Sequence, residues 1–174
     1  MFEIRQAKPG EYELVRDFYY KMIDMVEDAE YHPGWIKNVY PEDAYLEESV
    51  ENGTMYLGWA DGQLAGAMIM NHAYNEGYNK ITWGVDAKPE EITVFHILAI
   101  LPTFSGQGYG DAMVQFVIDH GRKTGQKAIR LDVLDYNVPA ERLYIKKGFQ
   151  MRGEQDMYYE DTGWTGFRLY EYLL

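Results

Sequence analysis

Ser105-Gly106-Gln107-Gly108-Tyr109-Gly110-Asp111 places three glycines at alternate positions, directly after the apolar run Leu98-Ala99-Ile100-Leu101. Glycine has no Cβ, so backbone N–H groups can crowd together there without side chains intervening. Ala112, Met113, Phe116, Val117 and His120 then recur at helical spacing, Arg122 and Lys123 fall in the last turn, and Gly125 is a natural stop. Free N–H groups at the positive end of a helix hold a phosphate or pyrophosphate. Two common phosphate loops do not fit. No Lys-Ser or Lys-Thr follows these glycines, as a P-loop requires. A G-x-G-x-x-G dinucleotide fingerprint would put Asp111 or Met113 at its third glycine. The chain has no cysteine, which excludes disulfides, thiolate zinc sites and a cysteine nucleophile.

A second stretch, Asn137-Val138-Pro139-Ala140-Glu141-Arg142-Leu143-Tyr144-Ile145-Lys146-Lys147-Gly148-Phe149, follows a strand-like segment from Lys127 to Leu134. Together the two stretches resemble the GNAT superfamily of acetyl-CoA-dependent N-acetyltransferases. The loop is similar to that family's [QR]-x-x-G-x-[GA] pattern, and the second stretch to its N-x-x-A-x-x-[LF]-Y-x-x-x-G-F element. The likeness is strongest from about residue 92 to 155. Ser105 departs from the pattern, where the family has Arg or Gln, and so removes one contact that braces the loop.

The resemblance implies acetyl-CoA as co-substrate and no metal. The pantetheine arm would lie against backbone groups of Leu98, Ile100 and Leu101, and the pyrophosphate in the loop from Ser105, Gly106, Gln107, Gly108, Tyr109 and Gly110 to Asp111. Tyr144 matches the tyrosine that protonates the departing thiolate, a step a phenol of pKa ~10 can perform. Asn137 matches as well; it reads equally as a helix cap and as a cofactor contact.

The base is open between His96, Glu90, Glu91 and water. Val94, His96 and Leu98 are expected on one face of the central strand, where only His96 can accept a proton. Glu90 and Glu91 stand at its start. The acceptor pocket is expected from aromatic-rich stretches holding Tyr31 and Trp35, then His72 and Trp83, because aromatic walls hold an amine's apolar body or its cation.

These residues need a scaffold. Apolar alternation and turn signals predict strands near 2–7, 54–60, 63–71, 92–100, 127–134 and 167–174, with helices near 9–28, 42–52, after the glycine loop, and after Asn137. Asp61-Gly62 signals a hairpin. The fold class is α+β in one domain, 1–174. The resemblance implies a central mixed, mostly antiparallel twisted sheet with helices on both faces, splayed at the cofactor-binding strand.

The net charge is −12 over 174 residues, against a nucleic-acid-binding role. Residues 1–87 carry 16 acids and 6 bases (net −10), and residues 88–174 carry 12 and 10 (net −2). An acidic half suits a cationic amine acceptor, and a near-neutral half suits an anionic cofactor. No apolar run approaches the ~18 residues of a membrane span, and a cytoplasmic location is expected. Phe167 to Leu174 carries apolar or aromatic groups on both faces, which suggests a homodimer through this strand. The reading is transfer of acetyl to a primary amine of a small molecule by direct attack. Protein or peptide N-acetylation and a non-catalytic acyl-CoA-binding domain are the alternatives.

Overall fold

A computed structural model describes all 174 residues. The chain begins with β1 (Phe2–Gln6), α1 (Tyr12–Val26) and α2 (Asp43–Glu51), followed by β2 (Met55–Ala60), β3 (Gln63–Asn71) and β4 (Ile92–Ile100). It continues as α3 (Tyr109–Lys123), β5 (Ala128–Leu134), α4 (Val138–Lys146), β6 (Gln150–Tyr159) and β7 (Gly163–Leu173). The seven strands form one sheet in the order β1-β2-β3-β4-β5-β7-β6. Only β4 and β5 run parallel. Asp61 and Gly62 both take positive φ, 48° and 82°, as a two-residue hairpin turn requires. No helix is long and apolar enough to cross a membrane.

Helices cover both faces. On one, Val15, Phe18 and Tyr19 of α1 and Leu46 and Val50 of α2 bury against Leu57, Ile69, Ile97 and Ala99. On the other, Met113, Val114, Val117 and Ile118 of α3 and Tyr144 of α4 bury against Phe95, Ile129, Leu131 and Val133. The alternation expected of β5 is therefore present, with Ile129, Leu131 and Val133 on the α3 face.

The central strand departs from regular alternation. Ile69 pairs with His96 but Ala67 with Ala99, so Ile97 and Leu98 together oppose Met68. This is a β-bulge, and Ile97 sits in it at φ 46°, a left-handed conformation that strains a β-branched residue by about 1–2 kcal/mol. The extra residue inverts the strand's faces beyond it. Phe95, Leu98 and Ile100 pack toward α3, while Ile97, Ala99 and Leu101 pack toward α1. Leu98 thus does not share a face with Val94 and His96, contrary to the strict alternation read from the sequence.

β4 and β5 pair only from Ile92↔Ala128 to Val94↔Arg130 and then part, immediately before the bulge. The splay lies there. The last strand also begins earlier than expected, at Gly163, and it is internal: β5 flanks it on one side and β6 on the other. Phe167, Leu169 and Tyr170 are buried within the chain itself, so the two-faced apolar character that suggested a subunit interface is accounted for inside one molecule.

Candidate active site

Where β4 and β5 part, a cleft of about 610 Å³, measured out to its open mouth, passes through the sheet. Leu98, Val133, Ala140 and Tyr144 line it on the α3–α4 side. Trp35, Tyr40, Ile97, Leu134, Tyr159 and Phe167 line it on the opposite side. The segment after α1 roofs it: a Cβ on Gly34 would lie 2.9 Å from Thr162 Cγ2 and 3.5 Å from the Tyr136 hydroxyl. Tyr40 packs on Tyr159 at 5.2 Å between ring centres, closing the next part of the roof.

Tyr144 is held by edge-on packing on Phe95 at 5.6 Å and by Phe149 at 6.0 Å. Its ring is 7% exposed, yet it lines the cleft, and its hydroxyl makes no hydrogen bond within the chain. Burial raises its pKa, and the charge of Asp132 raises it further, so the phenol keeps its proton. Asn137 also lines the cleft, and its Oδ1 caps α4 by accepting from Ala140 N–H at 3.4 Å. The two sequence readings of Asn137 are thus compatible.

The glycine loop stands at the start of α3. Gly106 and Gly108 take φ 74° and 80°, so glycine is needed there for backbone conformation, and a Cβ on either would meet nothing within 4 Å. Six successive N–H groups, from Gly106 to Asp111, find no acceptor in the chain; the first helical bond of α3 is Ala112 N–H to Gly108 C=O. Six unspent donors at a helix start, together with a β4 edge that has no strand partner beyond Val94, fit an elongated, phosphate-bearing thioester such as acetyl-CoA. Ser105 is exposed and donates its hydroxyl to Pro102 C=O at 2.8 Å, and Tyr109 stacks on Phe2 at 4.3 Å. Asp111 pairs with Lys146 of α4 at 3.0 Å. Leu101 differs from Leu98 and Ile100: it is buried toward α1, and its N–H is spent on Ala65 C=O.

The other sequence candidates are dispersed. His96 lies in a neighbouring recess with Tyr45, Tyr74 and Glu160, separated from the cleft by Tyr40 and Tyr159, which line both. Its Nε2 is 2.9 Å from Asn71 Oδ1, an oxygen that already accepts from Ala73 N–H, so the ring nitrogen donates. Burial lowers its pKa from 6.5 to about 4. Glu91 is paired with Lys127 at 2.9 Å at the far end of β4, and Glu90 is exposed beside it. Of the four aromatic-pocket candidates, Trp35 lines the cleft, packed edge-on against Tyr19 at 5.7 Å. Tyr31 is 41% exposed. His72 bonds Ile92 C=O through Nδ1, and Trp83 donates to Tyr78 C=O while stacking over Arg130 at 4.2 Å; neither borders the cleft.

Two carboxylates that sequence reasoning missed do line it, and no Lys, Arg or His does. Asp132 of β5 accepts from Tyr78 and Tyr159 hydroxyls at 2.8 and 3.0 Å, both on Oδ2. Burial raises its pKa, opposed by those two hydrogen bonds. Asp161, in the β6–β7 turn, has a buried Oδ1 with no partner in good geometry. Burial brings its pKa up to about 6, although its own N–H and that of Thr162 pull the other way. A signal for Asp132 was present: Leu131 and Val133 on one face put Asp132 on the other.

The sequence pattern of the acetyltransferase (GNAT) family matches residues 12–149. The chain belongs to that family and is an acetyl-CoA-dependent N-acetyltransferase by class. Among curated relatives, it is 27% identical to the [ribosomal protein bS18]-alanine N-acetyltransferase of Haemophilus ducreyi, covering 71% of this chain and 88% of that protein. It is 24% identical to the streptothricin acetyltransferase of Streptomyces lavendulae, covering 95% of this chain and 90% of that protein. Among solved structures, a GNAT-family acetyltransferase from Streptococcus agalactiae superposes with a TM-score of 0.82 at 22% identity, covering 99% of this chain and 95% of the other.

Proposed function

We propose that the chain acetylates a primary amine of a small, cationic acceptor by direct attack, with Tyr144 as general acid. The observation that carries this reading is the roofed cleft through the sheet, with an unspent phenol on one side and carboxylates without a basic partner on the other. Acetyl-CoA supplies the activated acetyl group and the thiolate that leaves. The N–H groups of residues 106–111 would hold its pyrophosphate, and the open edge of β4 beside Leu98 and Ile100 its pantetheine arm. Trp35, Tyr40 and Tyr159 would enclose the acceptor's apolar body and exclude water. Tyr144, protonated and without an internal partner, would give its proton to the sulfur.

The roof formed by Pro33, Gly34 and Trp35 against Asp161 and Thr162 favours a small acceptor over a protein terminus, which needs an open groove. A thiol-release assay with acetyl-CoA over a panel of small amines and short peptides tests both the activity and this preference. Tyr144→Phe keeps the ring packing and removes the proton. It should lower kcat by ~10²–10⁴ while leaving coenzyme A affinity within about twofold. Normal turnover in that variant would remove Tyr144 from the mechanism.

A further inference from the structure

Asp132 occupies a position that a folding protein would not choose for a carboxylate without compensation. It lies two residues beyond the point where β4 and β5 separate, so no strand covers its inner side. Moving a carboxylate out of water is costly unless it is paired or hydrogen-bonded. Here compensation is half complete. Tyr78, from the 76–80 turn, and Tyr159, from β6, both donate to Oδ2, whereas Oδ1 has no donor in the chain and borders the cleft. Two phenols on one oxygen fix the carboxylate's plane and leave the other oxygen aimed at whatever enters. No basic side chain lines the cleft to neutralise it. A cation brought by a ligand would complete the compensation. Tyr144 stands near enough to feel the same charge.

We propose that Asp132 Oδ1 receives the acceptor's ammonium and takes its proton, the part no residue of the central strand is placed to play in this cleft. The inference rests on reading the cleft as the acyl-transfer site. An ammonium gives up two protons on becoming an amide. Asp132 takes the first and passes it to water at the cleft mouth. The second, released as the C–N bond forms and the C–S bond breaks, replaces the proton that Tyr144 hands to the sulfur. Tyr78 and Tyr159 act as positioning residues.

The groups facing Asp132 are Tyr78, Tyr159 of β6, Tyr40 of the roof, Tyr45 of α2, Tyr144 of α4 and, across the cleft, Asp161. The tyrosines are all shifted upward, which leaves Asp161 as the other group able to titrate below neutrality in this cleft. The test compares wild type, Asp132→Asn and Asp161→Asn between pH 5.5 and 9.5. Acetyl-CoA is the donor, and the acceptors are alkylamines (2-phenylethylamine, 1,4-diaminobutane, spermidine) and hydrazine, which is about half neutral near pH 8 and largely neutral at the alkaline end of the range, where the alkylamines are still substantially protonated. Asp132→Asn should lose ~10²–10⁴ in kcat/KM on an alkylamine together with the acidic limb of the profile, yet lose at most tenfold on hydrazine. Asp161→Asn should retain the limb. A folded Asp132→Asn protein that keeps the limb, or that loses both acceptors equally, would overturn the assignment while leaving the acetyltransferase reading intact. A wild-type protein that binds coenzyme A but acetylates neither class would overturn the enzymatic reading itself.

Discussion

Burial acts on single titratable groups here in two opposite directions, and stability should record both. His96 is held neutral, its pKa lowered to about 4, so the unfolded chain binds more protons between pH 6.5 and 4 and stability falls as pH drops through that window. Asp161 has the reverse shift, to about 6 from 3.8, so the folded chain binds more protons and stability falls as pH rises from about 4 to 6. At 1.36 kcal/mol per unit, and discounting Asp161 for its partial exposure, each penalty is worth about 1–3 kcal/mol. Relative to wild type, His96→Gln should gain stability on going from pH 7 to 4.5, and Asp161→Asn on going from 4.5 to 7. Denaturant titrations at the two pH values measure this. A pH-independent difference in either variant would mean that its carboxylate or imidazole is not desolvated as described.

At the scale of elements, the loop before α3 presents free backbone N–H groups rather than basic side chains, and this predicts how substitution should act. Gly108→Val meets no neighbour within 4 Å, but it forces a β-branched residue to φ 80° and sets a side chain among six free N–H groups. Gly125→Val, at φ 71° and equally unobstructed beyond the other end of α3, is the matched control. Both should lose about 1–2 kcal/mol of stability, and only Gly108→Val should weaken coenzyme A binding, by tenfold or more in a calorimetric titration. Equal affinities in the two variants would separate the loop from the cofactor. The loop, α3, β5 and α4 were all legible in the sequence, because each carries its own local signal: alternate glycines, helical spacing, alternation, an Asn-x-Pro cap. The bulge was not. It depends on Ile97 adopting a conformation that its own side chain disfavours, held by buried Tyr19 donating to Ile97 C=O at 2.9 Å from a helix 78 residues away. Because the bulge inverts the strand's faces, regular alternation put Leu98 beside His96. Asp132 was missed for a related reason: alternation gives its face, but only the separation of β4 from β5 turns that face into a cleft wall.

Across the whole molecule the charge is uneven, but the cleft does not follow the halves of the sequence. Its carboxylates, Asp132 and Asp161, come from the near-neutral C-terminal half, and the acidic N-terminal half contributes Pro33, Trp35 and Tyr40 to the roof. The remaining acids act from a distance, through a net charge of −12. If two late strands join copies of this chain, the strand offered is β6 at the sheet's edge, since β7 is enclosed. A field of this sign has opposite consequences for the two substrates of the proposed reaction. It draws a cationic amine toward the cleft and repels the anionic coenzyme, and both effects weaken as the screening length falls from ~30 Å at 0.01 M salt to ~8 Å at 0.15 M. Raising ionic strength across that range should therefore increase KM for an alkylamine acceptor and lower KM for acetyl-CoA. The second change should be smaller, because the loop at residues 106–111 lies in the near-neutral half and its one acidic residue, Asp111, is paired with Lys146. Initial-rate measurements with each substrate varied in turn would show it. Parallel movement of the two constants would mean that the protein's field does not steer either substrate, and that short-range contacts within the cleft set both affinities.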